Sequence, residues 1–259
     1  MKKMLLFIFV LLAVTCFGQS EIDSLVKIGI QYHDSGEYEK AIFEFGDNYL
    51  LYYNLGITYS KANDNKNAES AFISAIINNS NHAGSHFRLA FLEKEKNQRV
   101  QSLLSLYYFL LLEPSSKRAE TAYKLLKEQL VGNVQKDVNN PMNINILINS
   151  QSMESEFAPA EMMLAMLEAS NLLEENKDKK PDELFVDNTK SFFTVLGELN
   201  ENKPNIWWNL YVSFFYELAK SEFVDVFCYY ISISSNENSL EWLKTNNEKF
   251  EKFEKWIND

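Results

Sequence analysis

Few side chains in this sequence could do chemistry. His33, His82 and His86 are its only imidazoles. His82 and His86 stand four apart, a spacing that on a helix puts both on one face and within reach of one metal ion. No third ligand is fixed by the spacing, so packed imidazoles are the preferred reading. Glu154, Glu156, Glu161 and Glu168 gather around the start of one predicted helix, and any two could act as acid and base in a glycoside hydrolysis. That chemistry needs a set separation across a cleft, and with 36 acidic residues in 259 such neighbours are expected by chance. Cys228 lies in Phe227-Cys228-Tyr229-Tyr230, an apolar run where an inert thiol is expected, since a reactive one needs an exposed, electropositive setting. Trp207, Trp208 and Tyr211 could stack on sugar rings, although aromatics at helical spacing more often form core. No phosphate loop, dinucleotide glycine motif, HExxH or nucleophile elbow occurs. No catalytic residue, metal ligand or cofactor is therefore assigned. An enzyme or glycan-binding protein with its site in the C-terminal helical domain stays open as the alternative.

The first eighteen residues have the pattern of a signal peptide. Lys2 and Lys3 precede an apolar run from Met4 to Val14, and Phe17-Gly18-Gln19 offers a small residue before a cleavage point. Such a run is too short for a bilayer core, which takes about 20 residues. Export to the periplasm is expected. Ala13-Val14-Thr15-Cys16 resembles the lipobox of bacterial lipoproteins, with Thr15 where a smaller residue is usual, and a lipid anchor on Cys16 is the second reading. The chain carries 25 basic and 36 acidic residues, a net charge of −11, or −13 once Lys2 and Lys3 are set aside. So acidic a surface repels nucleic-acid phosphates and anionic headgroups, and neither is expected as a partner. Removing the leader leaves Cys228 alone, which excludes an intrachain disulfide.

What remains must be positioned by helices that repeat. Gly56 and Ala90 stand 34 residues apart, and the pattern around them recurs. From Tyr49 the unit reads Tyr52, Leu55, Gly56, Tyr59, Ala68, Phe72, Ala75 and Ser80; from Ala83 it reads His86, Leu89, Ala90, Ser102, Leu106, Phe109 and Pro114. A shorter unit from Ile22 supplies Leu25, Ile28, Gly29, Tyr32, Gly36, Tyr38, Ala41 and Phe45. These positions resemble the signature of the tetratricopeptide repeat family. The resemblance implies an all-α fold: an α-α superhelix of about 3.5 units followed by a helical C-terminal domain. The small residues let paired helices approach, Asn63-Asp64-Asn65 suits the turn between them, and Pro114 ends a unit. Residues 115–130 read as one more helix.

In that family the first helix of each unit lines a concave surface. The positions facing inward are Val26 and Ile30, Tyr53 and Ile57, and Phe87 and Phe91, all apolar. Val26 and Ile30 stand where the family's charged peptide clamp has lysine and asparagine, and Gly84 replaces a further lysine, while Asn54 and Arg88 match it. The resemblance thus implies a protein-binding scaffold whose groove takes an apolar peptide or amphipathic helix, with Tyr53, Ile57, Phe87 and Phe91 as contacts and Arg88 as polar anchor; the other reading is that the chain's own C-terminal half fills the groove, since large apolar patches are rarely left exposed.

The organisation expected is a signal peptide at 1–18, a repeat domain at 19–130, a junction at 131–155 rich in Asn, Gly and Pro, and a helical domain at 156–259. Within the junction, alternation at Asn143-Ile144-Asn145-Ile146 predicts an extended segment. Helices are predicted from Pro159, Pro181 and Pro204 and, after Ser232–Ser239, as one amphipathic stretch with Trp242, Phe250, Phe253 and Trp256. Ala160-Glu161-Met162-Met163-Leu164, Trp207-Trp208 and the run Phe227–Ser232 are similar to the C-terminal part of uncharacterised exported bacterial repeat proteins, a resemblance that carries no activity.

Overall fold

The computed structural model describes residues 48–131, 134–137, 143–146, 155–173, 176, 178–199 and 203–258. The leader, Cys16, His33 and the unit beginning at Ile22, with Val26 and Ile30, lie outside them. Among the described residues the fold is all-α, with consecutive helices packed on one another and one short strand pair. Residues up to Arg88 belong to one compact unit and residues from Leu89 to a second.

Four helices carry the 34-residue period: α1 (Tyr49–Lys61), α2 (Asn65–Asn78), α3 (Ala83–Glu95) and α4 (Arg99–Leu112). α3 and α4 begin and end 34 residues after α1 and α2. The turns between helices repeat as well. After α1, Asn63 has φ 58°, and after α3, Asn97 has φ 60°, the left-handed region that asparagine tolerates better than most residues. Asp64 N–H donates to the Tyr59 carbonyl at 2.9 Å, and Gln98 N–H to the Glu93 carbonyl at 2.8 Å, the same closure of a helix end. Asp64 then caps α2, its Oδ1 accepting from Asn67 N–H at 3.2 Å.

In the first unit α1 and α2 meet at Gly56. A Cβ added there would lie 2.4 Å from the ring of buried Phe72, so only glycine allows the approach. Leu51, Leu55 and Ala71 close the core beside it.

In the second unit α4 is the axis. Eleven of its residues are buried, including every one from Ser102 to Leu111. Around it lie α5 (Lys117–Leu130), α6 (Ala158–Asn171), α7 (Pro181–Glu198), α8 (Ser213–Lys220) and α9 (Val224–Ile231). Tyr107 of α4 is fully buried, its ring 4.9 to 6.5 Å from those of Phe185, Phe192, Phe193, Phe215 and Phe227. Its hydroxyl and Thr189 Oγ1 hydrogen-bond at 3.0 Å, which relieves the cost of burying either group. The expected extended segment is strand β2 (Ile144–Ile146), antiparallel to β1 (Val134–Lys136), with Val134 opposite Ile146.

The predicted helices at Pro159 and Pro181 are α6 and α7. The stretch after Pro204 is divided. It opens with a π-helical turn, Trp207–Val212, runs on as α8, breaks at Ser221, and resumes as α9. Ser221 makes the break by accepting Phe223 N–H at 3.1 Å on its hydroxyl oxygen. The last amphipathic stretch is likewise two helices, α10 (Glu237–Thr245) and α11 (Asn247–Asn258).

Candidate functional site

The proposed contact residues stand on first helices. Tyr53 and Ile57 on α1, and Phe87 on α3, are half-buried in the first unit, and Arg88 is exposed. Phe91 is half-buried in the second unit. Tyr53 is already engaged: its ring lies edge-on to His82 at 4.7 Å and 6.1 Å from Phe72, and a Cβ on Gly84 would come within 3.3 Å of its hydroxyl. Tyr53 therefore closes α1 onto the entry to α3, and Ile57 and Arg88 are the groups of that set with the fewest internal duties.

The histidine pair is not a ligand pair on one helix face. α3 begins at Ala83, so His82 precedes it, its Nδ1 2.8 Å from Ser85 Oγ and its ring against Tyr49 and Tyr53. His86 is buried, and its Nε2 lies 2.8 Å from the Ser80 carbonyl, to which the neutral ring donates. Burial drives its pKa down to about 3, outweighing the carbonyl bond that favours the cation. Among the described residues no three His, Cys, Asp or Glu side chains gather to hold a metal.

Glu161 and Glu168 face inward, two turns apart on α6, and both are buried. Opposite stands Arg99, the first residue of α4, with Nη1 3.7 Å from a Glu161 carboxylate oxygen and Nε donating to the Gln129 carbonyl at 2.6 Å. Gln129 continues the chain by donating to Ser102 Oγ at 2.9 Å, and that hydroxyl donates to the Ala90 carbonyl at 2.7 Å. Burial raises the Glu161 pKa and lowers that of Arg99, and their mutual attraction opposes both shifts. Removing one partner would leave an uncompensated buried charge. Sequence spacing gave the two glutamates and missed the arginine, because Arg99 comes from a helix 62 positions before Glu161.

Glu156 has a different duty. It accepts Trp208 Nε1–H at 3.0 Å and Asn205 Nδ2–H at 3.3 Å, with Lys203 Nζ 3.5 Å away. Asn205 Oδ1 in turn accepts the backbone N–H groups of Trp207 and Trp208, so this carboxylate anchors the π-helical turn. Glu154 lies outside the described residues. Trp207, Trp208 and Tyr211 are buried, Trp207 stacked on Tyr211 at 5.3 Å and Trp208 on Phe157 at 4.9 Å. Their faces are committed to the interior rather than offered to a sugar. Cys228 is buried and its thiol is pushed up to about 12 by desolvation, a setting without thiolate reactivity.

No described helix is long and apolar enough to cross a membrane. No family model, no curated protein and no solved structure matches this chain.

Proposed function

We propose that this protein is an exported, periplasmic scaffold of tetratricopeptide-like repeats that binds a peptide or helix of a partner protein through the first helices of its units. The observation that carries the reading is the unequal use of the two helices in a repeat. The second helix of the later unit, α4, is buried along nearly its whole length. The first helices keep Ile57, Phe87 and Phe91 half-accessible, with the Arg88 guanidinium exposed beside Phe87. Partly exposed apolar groups flanked by a cation suit an amphipathic segment that buries its apolar face and pairs one carboxylate. The 34-residue recurrence of helix limits, left-handed asparagines and helix-end bonds supports the repeat assignment.

The test is site-specific photo-crosslinking in cells, with the probe at Ile57, at Phe87 and, as a control, at exposed Ile77 on α2. Discrete adducts from positions 57 and 87, lost on Arg88→Glu, are expected. Adducts from position 77 alone would discard the first-helix surface.

A further inference from the structure

An open cleft of about 340 Å³ lies between α6 and α7 of the C-terminal unit. Its lining includes Leu167 and Asn171 of α6 and Leu184, Asn188 and Lys190 of α7. Several other polar groups there are already spent. Asn176 Nδ2 donates to the Ser170 carbonyl at 2.9 Å, Lys179 pairs with Asp187 at 2.8 Å, and Ser191 Oγ donates to the Asp187 carbonyl at 2.9 Å. Asn171 and Asn188 are half-buried, and their side-chain amides make no hydrogen bond among the described residues. Both amides remain open to solvent, so their donors and acceptors are available to a ligand at the cleft surface. Lys190 is exposed and pairs with no described carboxylate, so with Lys179 and Asp187 cancelling, these charged groups leave one positive charge in a chain of net −11.

We propose that this cleft binds a short peptide bearing one carboxylate. An asparagine amide offers a donor and an acceptor side by side, matching the N–H and C=O of a peptide unit. Leu167 and Leu184 supply an apolar wall for an aliphatic side chain, and Lys190 meets the carboxylate. Among the described residues the lining has no aromatic ring, which disfavours a sugar. The volume is at the small end for ligand sites and holds roughly a dipeptide.

The proposal is tested by titrating the full chain, with 15N in its asparagines, with N-acetyl-leucyl-alanine and separately with its C-terminal amide. The side-chain NH₂ signals of Asn171 and Asn188 are expected to shift, and the acid to bind about fivefold more tightly than the amide, the worth of one solvent-exposed ion pair. Lys190→Glu should erase that difference without changing the melting temperature, since Lys190 is exposed. Asn171→Ala should weaken both ligands about fivefold. The proposal is overturned if both signals stay still up to about 10 mM ligand, if acid and amide bind alike to the unaltered chain, or if N-acetylglucosamine moves the same signals at lower concentration.

Discussion

α2 and α4 occupy the same place in the period, have the same length, and follow the same kind of turn, yet their surroundings differ. α2 buries Ala68, Ala71, Phe72, Ala75 and Ile76 and leaves Lys66, Ser70 and Ile77 exposed. α4 buries eleven of its fourteen residues. An amphipathic stripe suffices for a helix with one packed side, whereas α4 must be apolar on all sides because the helices of its own unit enclose it. A repeat thus fixes helix limits and turns, and what a helix becomes depends on the segments that later pack on it.

The sharpest way to break this comparison is at one register position in both helices. Tyr107→Ala should cost about 4 kcal/mol in urea unfolding, through loss of a buried aromatic and its Thr189 partner, whereas Ile73→Ala, 34 residues earlier and half-buried, should cost about 1. Similar losses at the two sites would mean that the enclosure of α4 contributes little.

A second contrast is between Tyr52 on α1 and His86 at the same register on α3. The folded pKa of His86 lies below the unfolded value of 6.5, so its contribution is complete above pH 6.5 and declines as pH falls toward 3. The loss is about 1.4 kcal/mol per pH unit within that window, or about 3 kcal/mol at pH 4.5. Unfolding of the His86→Tyr variant, measured at pH 7 and pH 4.5, should lack that component; an unchanged acid loss would assign it to the carboxylates.

The smallest effect is expected where the two helices of a pair approach most closely. Gly56 faces Phe72 in the first pair, and the matching positions of the second hold the larger Ala90 and the smaller Leu106. Gly56→Ala should cost about 2 kcal/mol by overpacking, and adding Phe72→Leu, which copies the second pair, should recover at least half. Strict additivity of the two changes would show that they do not share one gap.

Much of the first unit was legible because its signals are local. Asn63-Asp64 marks a turn through its residue types, and Gly56 marks a close helix approach, while Phe72 as the ring that it meets came only from the structure. The pair β1 and β2 was half-legible: the alternation at 143–146 predicts extension, and its partner at 134–136 carries no comparable pattern. The break at Ser221 was hidden, since apolar residues resume at Phe223 and a single capping side chain outweighs periodicity there, whereas the break at Asn246 falls in the polar run from Lys244 to Lys249, where Asn246-Asn247 went unread as a turn signal. Glu161 and Glu168 stood out as carboxylates, while the guanidinium that gives them their role did not. The cleft at Asn171 and Asn188 had no sequence signal, because two unpaired amides become notable only when helices 17 residues apart in register face each other.

The amino-acid order alone determined the period, the helix limits within it, the small residue at the closest helix approach and the acidic character of the chain, because each follows from local conformational preference or from composition. Only the tertiary structure decided that α4 is an enclosed axis, that Tyr53 and the tryptophans are committed inward, and that Glu161 of α6 pairs with Arg99. Those outcomes depend on which distant segments exclude water from a given side chain, and burial of that kind is a property of the packed chain rather than of any stretch of it.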